Sequence, residues 1–299
     1  MAYKLVIWDL DETFWSGTLS EGKVTQIPQN IEIVKKLVDR GIMNSIVSKN
    51  EHKFAMSVLK QWDVDQYFIF PQISWQPKGE TVRKLLQDCG LRAENVLFVD
   101  DNVSNLKEVE YYNPGITCVL PKYMQESDIL QLQDFQGKDD RNHSRLKQYR
   151  VLEQRIEKKD MYSSNEDFLR NSNICIEIKM DCINQIDRIV ELIQRTNQLN
   201  YTKNRMNQQQ LSVILQQEDV VAAYINARDN FGDYGLVGFY LLEGNRVIHF
   251  LFSCRILGFG IENYIYAKLG YPKIDISGDV AINLEIEKNI DWIKEIKDT

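Results

Sequence analysis

The chain has 299 residues, 43% hydrophobic and 26% charged, which is enough for two domains of ordinary size, each with its own core. A net charge of -7 argues against a sequence-independent nucleic-acid binder, and no apolar run approaches the roughly 20 residues that cross a bilayer. Five cysteines, none in a C-x-x-C pair, read as free thiols of a reducing, cytoplasmic protein, and three scattered histidines (His52, His143, His249) give no histidine-rich metal site.

The start, Met1-Ala2-Tyr3-Lys4, meets Asp9 and Asp11 too soon for a signal peptide. Lys4 to Trp8 reads as a strand, Ile31 to Val38 as a helix and Met43 to Val47 as a second strand. A helix follows over Lys53 to Trp62, a short strand over Tyr67 to Phe70 and a helix over about Gly79 to Cys89. Val96 to Val99 is a strand, then comes a helix from about Ser104, then Thr117 to Leu120. Strands alternating with helices predict an α/β fold with a parallel sheet covered on both faces. Ligands of such sheets bind at the carboxyl ends of the strands.

Between about 122 and 172 the sequence is rich in Gln, Lys, Asp and Glu. Leu146, Tyr149, Leu152 and Ile156 keep helical spacing, so a helical connector is expected. Beyond it, Ile174 to Ile178 alternates as a strand does, and Ile186 to Ile193 and Gln208 to Leu215 look helical. Val220 to Ala227, Gly235 to Leu242 and Arg246 to Phe252 read as successive strands before a helix over about Gly260 to Leu269. The expected division is 1–121, 122–172 and 173–299, the last a mixed α/β domain with an antiparallel run.

The first strand ends in Asp9-Leu10-Asp11-Glu12-Thr13. Two carboxylates where a buried strand ends are costly unless something positive sits between them. A hard cation with oxygen ligands fits, and magnesium suits phosphate chemistry. A solvated turn is the plain alternative. Three further segments lower its weight when taken together. Ser48 closes the second strand ahead of Lys49-Asn50. Lys78 stands at a helix start in Trp75-Gln76-Pro77-Lys78-Gly79. Asp100 and Asp101 follow Val96-Leu97-Phe98-Val99. Singly, Ser48 reads as a cap, Lys78 as a solvated lysine and the aspartate pair as a cap.

With these four segments in order, the first 120 or so residues resemble the haloacid dehalogenase (HAD) superfamily of phosphatases and phosphotransferases. The resemblance implies a Rossmann-like fold and an Asp9 nucleophile that forms an aspartyl-phosphate. It implies Asp11 as general acid/base, Ser48 bonded to the transferring phosphoryl and Lys78 balancing charge. Asp9, the backbone carbonyl of Asp11, and Asp100 would hold Mg2+, with Asp101 supporting. The stretch from Asp11 to about Pro28 is only long enough for a flap, so no large cap is expected.

A second feature is the turn Arg255-Ile256-Leu257-Gly258-Phe259-Gly260 between a strand and a helix. Its glycines and the following helix N-terminus suit an anion, and a plain strand-to-helix connection is the alternative. It resembles the acyl-CoA pyrophosphate loop of GNAT-type acyltransferases, which implies Arg255, Gly258 and Gly260 as contacts for acyl-CoA or phosphopantetheine. Cys254 reads as a buried core thiol rather than a nucleophile. The amide-rich Arg195 to Thr202 and the Asp229 to Gly235 segment read as loops or as functional sites.

With R-T-N-Q, F-G-D-Y-G-L-V-G, S-C-R-I-L-G-F-G and Trp15-Ser16-Gly17, nearly the whole chain resembles the FkbH-like family, a HAD domain fused to a GNAT-like domain. That resemblance implies taking a glyceryl unit from a phosphorylated glycerate to an acyl carrier protein through a cysteine ahead of Ser-Lys-Asn. Here that position is Val47, which cannot form a thioester. The expected function is therefore a magnesium-dependent phosphatase or phosphotransferase. Its substrate would be a phosphorylated small molecule, free or carrier-linked. Glyceryl transfer and a non-catalytic CoA- or carrier-binding module are the alternatives.

Overall fold

The computed structural model describes residues 2–126, 129–159 and 161–296. The chain divides into two compact units, Met1–Ile156 and Glu157–Thr299.

Unit 1 begins with β1 (Leu5–Trp8), a loop, and the short hairpin β2 (Trp15–Ser16) and β3 (Thr25–Gln26). Then follow α1 (Pro28–Asp39), β4 (Met43–Ser48), α2 (His52–Gln61), β5 (Gln72–Ile73) and α3 (Lys78–Cys89). β6 (Val96–Val99), α4 (Val103–Tyr112), β7 (Thr117–Val119) and the single turn α5 (Pro121–Met124) complete the alternation. The parallel sheet runs β5-β4-β1-β6-β7. This is the α/β Rossmann-like arrangement expected from the sequence. Between β1 and α1 the chain carries the small hairpin and two short helical turns, Leu10–Phe14 and Leu19–Glu21.

Side-chain alternation explains why the strands read as continuous apolar runs. Val6 and Trp8 join Ile33, Val34, Ala55 and Leu59 of α1 and α2 on one face. Leu5 and Ile7 join Val82, Leu85, Leu106 and Val109 of α3 and α4 on the other. Pro28 starts α1 at a position that needs no N–H donor, and Gly90 ends α3 in the left-handed conformation.

Two local expectations shift. Residues Tyr67 to Phe70 are not a strand. A short 3-10 turn occupies Asp65–Tyr67, Phe70 has φ of 47°, and the edge strand forms later, at Gln72–Ile73. A left-handed residue breaks strand continuity, which apolar composition cannot report. Within the segment expected as a connector lies α6 (Ser144–Lys159). Its Leu146, Tyr149, Leu152 and Ile156 pack into the α3/α4-side core of unit 1. Arg145 donates to the Gly41 carbonyl and Arg150 to those of Asp65 and Gln66.

Unit 2 contains α7 (Asn165–Asn171), β8 (Ile174–Lys179), α8 (Ile186–Arg195), α9 (Gln208–Ile214), β9 (Val220–Arg228), β10 (Asp233–Glu243), β11 (Arg246–Phe252), α10 (Ile261–Lys268) and β12 (Ile293–Glu295). Its mixed sheet runs β11-β10-β9-β8-β12, with β12 parallel to β8 and the other pairs antiparallel. Ile189, Leu192 and Ile193 of α8 bury against Phe239, Leu241 and Leu251 of the sheet. The amide-rich segment lies along the outer edge of β11: Tyr201 N–H donates to Phe250 O, Phe252 N–H donates to Leu199 O, and Asn200 stands opposite Leu251. No helix among the described residues is long and apolar enough to cross a membrane, and the five cysteines are free.

Gly79 fixes the start of α3. Its N–H donates to Glu108 Oε1 at 2.8 Å, and Asn113 Nδ2 donates to its carbonyl at 3.0 Å. A Cβ there would stand 2.5 Å from a Tyr112 ring carbon. Gly79→Ala should cost about 1–3 kcal/mol of stability in denaturant unfolding. In unit 2, His249 is fully buried, and neither ring nitrogen has a hydrogen-bond partner among the described residues. Burial, helped by nearby Arg205, holds its imidazole down to about 4. The unfolded chain therefore takes up this proton at a higher pH than the folded chain. Stability is complete above about 6.5 and falls as pH drops from there toward 4, by up to about 3 kcal/mol. His249→Gln should flatten that slope in unfolding experiments across this window by about one proton.

Candidate active site

The four segments picked out in unit 1 meet at the carboxyl edge of its sheet. Asp9 follows β1, Ser48 ends β4, Lys78 opens α3 just after β5, and Asp100 follows β6. Parallel strands deliver their C-terminal residues to one edge, so four distant segments converge.

Lys78 is the centre of the cluster. Its Nζ lies 2.6 Å from Asp9 Oδ1 and 2.6 Å from Asp100 Oδ2, with the lysine side chain 2% exposed. A lysine aliphatic stem reaches through the α3 start to place an ammonium between two buried carboxylates. Asp100 is further fixed by Asn102 N–H at 2.8 Å and by Asn105 Nδ2 at 3.1 and 3.2 Å. Burial pushes the Asp9 carboxyl above its ordinary range. The Lys78 ammonium opposes the rise, and Asp100 adds to it. Asp101 is raised as well, by burial first and then by Asp100.

Side-chain oxygens of Asp9, Asp100 and Asp101 lie within 4.8 Å of one another. Three carboxylates face one ammonium. A hard divalent cation fits this all-oxygen donor set and would restore the ionised form of Asp9 that burial disfavours.

Asp11 is placed differently. Its side chain is not in the carboxylate triad. Oδ1 accepts from Trp15 Nε1 at 2.8 Å and from Leu19 N–H at 3.0 Å, and Oδ2 accepts from Asn50 Nδ2 at 3.0 Å. Its side chain is thereby tied to the hairpin and to the segment after β4. Ser48 is buried; its hydroxyl accepts from Asn50 Nδ2 at 3.2 Å and favours the ionised form of Asp9.

Four participants carried no role in the sequence reading. Asn50 bridges Asp11 and Ser48, Asn105 holds Asp100, Thr13 Oγ accepts from Asp101 N–H at 3.0 Å, and Trp15 holds Asp11. Asn50 and Trp15 lie inside quoted motifs. Asn105 stands one helical turn past the aspartate pair, and nothing in its spacing marks it.

Val47 turns away from this site. It is 2% exposed and packs in the core with Leu5, Ile69 and Val82.

In unit 2 the turn 255–260 takes a structural form. Arg255 donates through its guanidinium to Tyr234 O at 2.6 Å and Leu236 O at 3.0 Å, and through Nε to Ser253 Oγ at 3.0 Å. These contacts tie the turn to β10. Gly258 and Gly260 have φ of 81° and 83°, a conformation that favours glycine whether or not an anion binds. A Cβ on Gly260 would stand 3.3 Å from the Trp292 ring, and Glu262 places a buried carboxyl in the first turn of α10. Cys254 is exposed, which corrects the expectation of a buried thiol. The chain leaves β11 at Ser253 and enters a 3-10 turn, so strand alternation no longer sets where Cys254 points. Asp229 Oδ1 accepts from the N–H groups of Phe231 and Gly232 and from the Tyr234 hydroxyl, so it closes its own turn.

Residues 12–109 match a family described as haloacid dehalogenase-like hydrolase. The human magnesium-dependent phosphatase 1 is 26% identical over 136 residues, covering 39% of this chain and 76% of that protein. Among solved structures, the N-terminal part of the protein BF1531 from Bacteroides fragilis contains a phosphatase domain complexed with Mg. It is 23% identical, covers 46% of this chain and 41% of that one, and superposes with a TM-score of 0.35. The 3-deoxy-D-manno-octulosonate 8-phosphate phosphatase from Moraxella catarrhalis is 14% identical. It covers 53% of this chain and 92% of that one, with a TM-score of 0.30. The chain thus spans about two-fifths of the solved Bacteroides chain and most of the human protein. Unit 1 carries a haloacid dehalogenase-like hydrolase domain.

Proposed function

We propose that unit 1 is a magnesium-dependent phosphomonoester hydrolase that works through an aspartyl-phosphate on Asp9. The observation that carries this reading is the Lys78 ammonium held between Asp9 and Asp100 at 2.6 Å from each. A phosphoryl dianion approaches a carboxylate nucleophile only where positive charge neutralises both. Family membership of the domain and the similarity to a magnesium-dependent phosphatase support the same chemistry.

Each residue then has a task. Asp9 supplies the attacking oxygen. Ser48, whose Oγ accepts from Asn50, donates its O–H to an oxygen of the incoming phosphoryl group. Lys78 keeps nucleophile and phosphoryl oxygens from repelling each other. Asp11 gives a proton to the leaving oxygen and then takes one from the water that hydrolyses the phosphoenzyme. Asp9, Asp100 and Asp101 would hold Mg2+ through their carboxylates, with the Asp11 carbonyl completing the protein ligands. When bound, the ion supplies charge neutralisation and orientation at the phosphoryl oxygens. The substrate is a phosphorylated small molecule.

The carrier-linked and acyl-CoA readings have less to stand on. Val47 lies in the core where the resembled family has its cysteine, so glyceryl transfer lacks its thiol. Arg255 is engaged with Tyr234 and Leu236 carbonyls, so the turn offers no unengaged guanidinium to a pyrophosphate. We propose no acyl transfer for unit 2.

Phosphate release from simple phosphate esters tests the reading. Asp9→Asn should lower kcat by roughly 10^4-fold or more with unchanged unfolding behaviour. A folded Asp9→Asn protein with near-native turnover would contradict the nucleophile assignment. Excess chelator should abolish phosphate release and added magnesium restore it. Full activity in chelator would contradict the metal assignment.

A further inference from the structure

Asn50 joins two residues that the proposed reaction uses, Asp11 and Ser48. β4 ends at Ser48, and the chain leaves the sheet through Lys49 and Asn50 before α2 begins. Although it lies on this loop, Asn50 is only 4% exposed. Its Nδ2 donates to Asp11 Oδ2 at 3.0 Å and to Ser48 Oγ at 3.2 Å. Ser48 ends β4 beside the end of β1, and its hydroxyl favours the ionised form of Asp9. One amide group therefore holds both the acid/base and the hydroxyl that serves the phosphoryl site. Its orientation follows from chemistry, because an amide oxygen turned to Asp11 would set two acceptors against each other.

The two oxygens of Asp11 are not equivalent. Oδ1 accepts from both Trp15 Nε1 and Leu19 N–H, whereas Oδ2 accepts from Asn50. A carboxylate oxygen has about two acceptor positions. Those of Oδ1 are filled by the hairpin side of the site. Oδ2 keeps one, on the side where Asn50 also meets Ser48. A proton on Oδ1 would displace an existing donor, and a proton on Oδ2 displaces none.

We propose that Asn50 is a positioning residue that turns Asp11 Oδ2 toward the phosphoryl site and makes it the oxygen that carries the catalytic proton. This rests on the phosphatase reading of unit 1. In the first half-reaction an Asp9 oxygen bonds to phosphorus. The bond from phosphorus to the leaving oxygen breaks with its electron pair on that oxygen. The proton on Asp11 Oδ2 passes to it, and an alcohol departs. In the second half, a water oxygen bonds to phosphorus and gives its proton back to Oδ2. The bond between phosphorus and Asp9 breaks, and inorganic phosphate leaves. Asn50 touches neither substrate nor metal in this scheme. It acts through Asp11 and Ser48.

A residue that aims the acid matters most when the leaving group needs a proton. Nitrophenyl phosphate loses a stabilised phenolate that needs none, and an alkyl phosphate loses an alkoxide that does. Asn50→Ala and Asn50→Asp should each lower kcat/KM for the alkyl ester by roughly 100-fold, with the loss mainly in kcat, and that for nitrophenyl phosphate by less than about fivefold. Each variant is compared with itself on the two esters, so a smaller folded fraction scales both values alike and leaves the ratio unchanged. An equal fall on both esters, or no fall on either, would overturn the proposal. Asp9→Asn, assayed alongside, keeps the two readings apart. If it retains turnover, the phosphatase reading fails. If it is inactive while the Asn50 variants show no leaving-group effect, only the role of Asn50 fails.

Discussion

The Lys78 ammonium, buried between Asp9 and Asp100, is the interaction around which unit 1 is arranged. Three carboxylates at one sheet edge repel, and burial favours the neutral form of Asp9. One fixed cation makes the cluster tolerable without neutralising it, so that a divalent ion and a phosphoryl group complete the charge balance. Much of the surrounding structure supports that lysine. The glycine at 79 lets α3 approach α4 closely, two hydrogen bonds lock its backbone, and Asn105 holds the Asp100 carboxylate from the next helix.

A second layer of hydrogen bonds gives the carboxylates different tasks. Asp9 sits with Lys78, whereas Asp11, two residues on, is held by Trp15, Leu19 and Asn50. The small hairpin between β1 and α1 thereby contributes to the site without covering it as a large cap would. Nucleophile and proton carrier are separated by local backbone geometry and by donors from two sides.

Much of unit 1 was legible because strand ends announce themselves. A run such as Val96 to Val99 followed by Asp100-Asp101 marks both the strand and the edge where it delivers its residues. Roles that lie in bonds between distant segments were not legible. Asn50 reads as one polar residue in Ser-Lys-Asn, and only folding sets its amide against Asp11, thirty-nine positions earlier. The region 122–172 read as a helical connector because its few apolar residues keep helical spacing but are diluted by charge, and those of α6 pack into the core of unit 1. The Arg255 turn shows the converse limit. Its glycines are required by backbone conformation and its arginine binds strand carbonyls, so the pattern alone could not separate an anion cradle from a structural turn.

The central claim is covalent chemistry at Asp9, and trapping the intermediate tests it most directly. Asp11→Asn protein, loaded with magnesium and mixed with radiolabelled nitrophenyl phosphate, can be quenched in acid and reduced with borohydride before peptide mass spectrometry. This leaving group needs no proton, so phosphorylation proceeds while hydrolysis of the phosphoenzyme stalls without its base. The account predicts a hydroxylamine-labile label on the protein and conversion of residue 9 alone to homoserine. A stoichiometric burst of nitrophenolate with no modification at Asp9, or with the label on another residue, would contradict it.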